Sequence, residues 1–142
     1  MRRMHTPRTS PSRAGWLAVA LAGMAALAGP VSAATPAELL AGYQAQAGSA
    51  PSVTRGQAFF TQRHGGEWSC SSCHGDKPVG TGRHASTGKP IEPLSPAANP
   101  KRFSDAAKVE KWFRRNCKDV LSRECTAAEK ADVLAFLMEV KP

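Results

Sequence analysis

Trp68-Ser69-Cys70-Ser71-Ser72-Cys73-His74-Gly75 is the stretch on which the fold turns. Two thiols three positions apart, followed at once by an imidazole, match the chemistry of covalent haem: the thiols can reach the two vinyl groups and the imidazole can reach the iron. A Cys-x-x-Cys pair also occurs in thioredoxin-like redox sites and as half of a zinc site. The first sits near a βαβ pattern and the second needs another ligand pair, and neither accompanies this motif. The spacing therefore predicts one haem c, attached at Cys70 and Cys73, with His74 as the proximal iron ligand. The second nitrogen of that ring is expected to donate to a backbone carbonyl, with Pro93 and Pro96 both candidates.

Upstream, Arg2, Arg3, Arg8 and Arg13 precede an apolar run from Gly15 to Gly29, and no acidic residue occurs before Glu38. That is the pattern of a signal peptide. The run is shorter than the roughly 20 residues of a spanning helix, and Val31-Ser32-Ala33 offers the small side chains a signal peptidase reads. Cleavage is expected after Ala33, giving a leader at 1–33 and a single domain at 34–142 exported to the periplasm. The leader holds four of the 19 Lys and Arg residues and none of the 11 acids. Its removal lowers the formal charge from +8 to about +4, and two haem propionates lower it further, so the basic composition is no argument for nucleic-acid binding. A domain this small buries only a modest apolar core, so a cofactor or a disulfide is expected to staple it. All four cysteines lie in the exported part, where the environment is oxidising. Cys117 and Cys125 bracket a short segment and neither is followed by histidine, so only the first pair is a haem site.

The pattern along the exported part is helical. Thr35 reads as an N-cap, with Pro36 at the first helical position and Glu38 completing a capping box, for a helix running to about Ala47. Gly48-Ser49-Ala50-Pro51-Ser52 is turn chemistry. From Val53 a second short helix carries Gly56 and Phe60 on one face, and His64-Gly65-Gly66 ends it. Residues 75–100 hold glycines and prolines at close intervals, predicting a long loop that wraps a haem edge. Ser104 is expected to cap the next helix, with Asp105 in its first turn and Val109, Trp112, Phe113 and Asn116 on one face. Thr126-Ala127-Ala128-Glu129 is another capping box, opening a last helix with Val133, Leu134, Leu137 and Val140 apolar and Phe136 beside them. No strand pattern competes and there are no repeats. The fold class is all-α: a small helical domain wrapped around one covalent haem, with a long Gly/Pro-rich loop.

The sixth iron ligand decides what such a protein does, because two strong axial ligands favour electron transfer and a weak one admits small molecules. Met138 is the sole methionine outside the leader, but it lies within the last helix near its end. His64 and His84 each stand ten residues from His74 and read as solvated loop histidines.

At this point the chain resembles the sphaeroides haem protein family of high-spin class I cytochromes c. The likeness runs through Thr35-Pro36-Ala37-Glu38-Leu39-Leu40-Ala41-Gly42-Tyr43, Cys70-Ser71-Ser72-Cys73-His74-Gly75, and Thr87-Gly88-Lys89 with Ile91, Pro93, Leu94 and Pro96. Its most specific parts are Arg102-Phe103-Ser104-Asp105, Val109-Glu110-Lys111-Trp112, Arg115-Asn116-Cys117, Cys125-Thr126 and Glu129-Lys130-Ala131-Asp132. In that family the sixth ligand is an asparagine, and the matching position is Asn116, on the helical face shared with Val109, Trp112 and Phe113. These three residues are expected to line the haem pocket. The plainer role for Asn116 is a helix C-terminal cap. A neutral amide is a poor iron ligand, so the resemblance implies a high-spin ferric haem whose Asn116 is displaced when a diatomic such as O2, NO or CO binds the reduced form. It also implies a disulfide between Cys117 and Cys125, which either staples the loop or, through the adjacent Asn116, fixes the distal ligand's approach.

Two functions follow, and they are compatible. One is electron transfer, with Lys108, Lys111, Arg114, Arg115 and Lys118 forming basic faces that suit an acidic partner; the resemblance implies a dihaem cytochrome c or a membrane b-type cytochrome. The other is the binding of diatomic gases, with weak oxygen or nitric oxide chemistry rather than a dedicated enzyme activity. A monomer is expected. The alternative is a low-spin electron carrier with His64 or His84 as sixth ligand.

Overall fold

Reciprocal hydrogen bonds start the first helix: Thr35 Oγ1 accepts from the Glu38 N–H (3.2 Å) and the Glu38 carboxylate accepts from the Thr35 N–H (2.8 Å). The computed structural model describes residues 33–142. The leader expected at 1–33 lies outside them, apart from Ala33. Helices α1 (Pro36–Ala47) and α2 (Val53–Thr61) lead to a short helix α3 (Cys70–His74), followed by α4 (Ala106–Leu121) and α5 (Ala127–Glu139). Thr126 and Glu129 repeat the capping box at the start of α5. Among the described residues no helix is long and apolar enough to cross a membrane.

The last helix is the centre of the molecule. Ala131 to Leu137 are all buried, with Leu134 fully so, and α1 and α2 both pack against this helix. Burial of a side chain such as Leu134, Leu137 or Phe60 stabilises by roughly 1.5–3 kcal/mol each. The α2–α5 contact is close because Gly56 has no side chain: a Cβ there would run into the backbone carbonyl of Asp132. The carboxylate of the same Asp132, largely buried, accepts from Arg55 Nε (2.7 Å), Arg55 Nη2 (2.8 Å) and the Ser52 N–H (2.6 Å). A buried charge is tolerable when paired and hydrogen-bonded in this way.

Between α3 and α4 the long loop is pinned at both ends. The Leu94 and Ser95 N–H groups both donate to the Pro78 carbonyl (3.0 and 2.9 Å), and the buried Ser95 hydroxyl donates to the Val140 carbonyl. The loop also contains a two-stranded antiparallel ladder, β1 (Gly82–Arg83) and β2 (Pro90–Ile91), where the sequence predicted no strand. Two residues per strand are too few for an alternating pattern to register. Gly88, in the left-handed region at φ 67°, turns the chain between them.

The start of α4 also differs from expectation. Asp105, not Ser104, is the N-cap, its carboxylate accepting from the Lys108 N–H (3.0 Å). Ser104 instead donates to the Lys101 carbonyl (2.9 Å). With the Ser104 hydroxyl turned back to Lys101, the Asp105 carboxylate is the side chain that meets the first free N–H groups; the buried Phe103 just before sits at φ 60°, a left-handed conformation that costs roughly 1–2 kcal/mol.

Replacing Gly56 with Ala forces α2 away from the α5 backbone. The holoprotein should lose about 2–3 kcal/mol in denaturant unfolding, whereas Gly42→Ala, which meets open space, should not destabilise it; equal midpoints for the two variants would contradict the packing described.

Candidate haem site

Ser69 is a cap that the sequence reading passed over, although its place directly before Cys70-Ser71-Ser72-Cys73-His74 was the available signal. Its side chain accepts from the Ser72 N–H (3.2 Å), and its own N–H donates to Ser72 Oγ (2.9 Å). The resulting turn of helix sets Cys70, Cys73 and His74 at i, i+3 and i+4, on one face. Gly75, at φ 75°, then lets the chain leave. The hairpin comes so close that a Cβ on Gly82 would strike the Cys73 carbonyl, and the Ala85 N–H points to Cys73 Sγ (3.3 Å).

All three side chains face a cavity of about 520 Å³, within the size range of cofactor sites. Phe60, Val133 and Leu137 from α2 and α5 give it an apolar floor, and Ile91 and Leu94 bring in the long loop. From α4 come Val109, Trp112, Phe113 and Asn116, so the structure gathers every pocket residue expected from the sequence into one space. Asn116 is not a helix cap: α4 continues to Leu121 and ends at Ser122. Lys101, Arg102, Lys108 and Arg115 form a cationic rim, with Asp105 and Asp119 among them.

The electrostatics suit ligation. His74, packed near the Phe60 ring (6.3 Å between centroids), has its pKa lowered to about 4, by burial first and then by the Arg102 charge. The ring therefore stays neutral and keeps the lone pair a metal ligand needs. Burial pushes the Cys70 thiol up to about 11. Of the two carbonyls considered for orienting His74, that of Pro93 receives Arg102 Nε (2.8 Å), and Arg102 Nη2 donates to the Glu92 carbonyl (2.7 Å). The long loop thus holds the guanidinium at the cavity. Two thiols and a neutral imidazole on one helical face, an apolar interior and a cationic rim for two carboxylates together fit a covalently bound haem. Among the described residues, no three His, Cys, Asp or Glu side chains gather around a metal-sized site of their own.

The remaining candidate ligands separate. Met138 and His64 do not line the cavity; Met138 packs against the core, and His64 Nε2 lies 2.8 Å from the Phe59 carbonyl. His84 does line it, but its Nδ1 accepts from the Thr87 N–H (3.3 Å). That bond leaves the ring proton on Nε2, where a ligand would need a lone pair. Cys117 and Cys125 are joined in a disulfide, with Cα atoms 5.6 Å apart, at the C-terminal half of α4 and beside Asn116.

A family profile described as a domain of unknown function (DUF1924) matches residues 46–137. Cytochrome c-type protein SHP of Cereibacter sphaeroides is 49% identical over 119 residues, covering 80% of this chain and 92% of that protein. Cytochrome c'' of Methylophilus methylotrophus is 44% identical over 98 residues, covering 66% and 68%. Among solved structures, oxidised SHP, described as an oxygen-binding cytochrome c, is similar with a TM-score of 0.69 and 49% identity over 74% of this chain and 96% of that one. Oxidised cytochrome c'' is similar at 0.66 and 37%, over 75% and 95%.

Changing both Cys117 and Cys125 to Ser should lower the unfolding free energy of the holoprotein by about 2.5 kcal/mol, the chain-entropy value for so short a loop. A loss near zero in denaturant titration would show that closing this loop adds no stability.

Proposed function

The chain belongs to the sphaeroides haem protein family of c-type cytochromes, with one covalent haem c, and from this premise we propose that it is an exported electron-transfer protein whose weak distal ligand, Asn116, yields to diatomic gases. In this reading Cys70 and Cys73 form the thioethers, His74 is the permanent iron ligand, and the leader at 1–33 directs the chain to the periplasm. Haem supplies one-electron chemistry and, where an axial ligand is weak, a place for small molecules.

The observation that carries the reading is that Asn116 lines the cavity faced by Cys70, Cys73 and His74, while Met138 and His64 lie outside it. A carboxamide has no charge and competes poorly for iron, so Asn116 can leave without an unpaired charge being created in the cavity. Val109 and Phe113 keep the space beside it apolar, which suits O2, NO or CO better than water. The Cereibacter relative is described as oxygen binding, which supports the same property here. The Cys117–Cys125 bridge restricts the backbone next to Asn116, and so its approach to the iron.

Electron exchange needs a partner, and exposed Lys108, Lys111, Arg114, Arg115 and Lys118 along α4 suit an acidic one. The one acidic group paired with Arg114 among the described residues is Glu124, at the long distance of 4.0 Å, and both side chains are largely exposed, so a solvent-screened pair of this kind competes weakly with an acidic partner. A dihaem c-type or membrane b-type cytochrome fits this role. We read the protein as a monomeric electron carrier and gas binder, not as a dedicated enzyme.

Asn116→Ala tests the reading. Removing a ligand that occupies the site most of the time should raise the carbon monoxide association rate of the reduced protein about tenfold. His84→Ala should leave it unchanged. The reverse pattern would assign the sixth position to His84 and leave a low-spin electron carrier.

A further inference from the structure

Helix α4, which forms one wall of the haem cavity, is not closely packed backbone to backbone in the way that α1 and α2 pack on α5. The disulfide fastens its C-terminal half. Its N-terminal half is fastened through Glu110, whose Oε1 accepts from the Tyr43 hydroxyl (2.6 Å) and whose Oε2 accepts from Lys130 Nζ (2.7 Å). One carboxylate on α4 thus joins α1 to α5.

The three groups are set against a wall of the cavity without lining it themselves. The Tyr43 ring meets the Phe113 ring edge-on at 5.9 Å. The Lys130 ammonium stands 5.5 Å from the Tyr43 ring centroid and 6.0 Å from that of Phe113, so its charge is shared between a carboxylate and two aromatic rings. Phe113 does line the cavity, about one turn after Glu110 and one turn before Asn116. Partial burial tends to raise the Glu110 pKa, but the hydrogen bonds from Lys130 and Tyr43 hold it below the usual range. Burial and the Glu110 carboxylate push the Tyr43 hydroxyl up, so it remains a donor.

We propose that Tyr43, Glu110 and Lys130 form a clamp that sets how far α4 stands from the cavity, and through it how readily Asn116 gives way to an incoming diatomic ligand. The clamp rests on the reading of Asn116 as a displaceable ligand. Its logic is mechanical: Asn116 lies on a helix tied by the shared carboxylate and the disulfide, with Val109 and Phe113 packed on the core, and outward movement of that helix must strain one of those two links. Because one carboxylate serves both partners, cutting either hydrogen bond weakens the same attachment, and the effects should not add. All three are positioning residues.

The test uses holoprotein carrying Tyr43→Phe, which keeps the ring against Phe113, Glu110→Gln, or both, with carbon monoxide as the probe. Each variant should raise the association rate roughly fivefold, the low end of coupling between linked sites, and the double variant should add little. Placed on Asn116→Ala, they should have no further effect. Rates within about twofold of the parent, with only the unfolding midpoint lowered, would overturn the clamp and leave a fold-stabilising network. If Asn116→Ala alone leaves the rate unchanged, the ligand reading fails and the clamp falls with it. If Asn116→Ala accelerates binding and the clamp variants do not, only the clamp fails.

Discussion

A single helical turn puts two thiols and an imidazole on one face, and the rest of the domain is arranged around what they require. The turn must start at a fixed place, which the reciprocal Ser69–Ser72 bonds ensure. It must end at once, which Gly75 permits. The hairpin must come up against Cys73, which only a residue without a side chain at position 82 allows. Helix α4 supplies the wall of the same cavity that carries Asn116.

That arrangement also explains how a small chain sustains its fold. Helices α1 and α2 bury one side of α5, with Gly56 and the Arg55–Asp132 pair making the closest contact. The other side of the core opens into the cavity, which Phe60, Val133 and Leu137 line. A haem held there would complete the core on this side, against the wall that Val109, Trp112 and Phe113 of α4 provide.

Features set by neighbouring residues were legible in the sequence. Capping boxes at Thr35–Glu38 and Thr126–Glu129 need only a three-residue spacing, and the haem motif needs only five residues. The face carrying Val109, Trp112, Phe113 and Asn116 followed from helical periodicity, but choosing Asn116 within it came from the family resemblance. Features set by tertiary contact were not legible. The start of α4 moved by one residue because both Ser104 and Asp105 are good caps and the Ser104 hydroxyl turns back to the Lys101 carbonyl instead. The ladder at Gly82–Arg83 and Pro90–Ile91 is too short for a pattern. Tyr43 and Glu110 are 67 positions apart, and no local rule links them.

The central claim is an iron held firmly by His74 and weakly by Asn116, and the optical spectrum of the purified mature holoprotein tests it most directly, recorded oxidised, reduced, and reduced under carbon monoxide. The account predicts a high-spin ferric spectrum and a clear shift of the reduced bands when carbon monoxide is added. A low-spin spectrum in both oxidation states, unmoved by carbon monoxide, would contradict it.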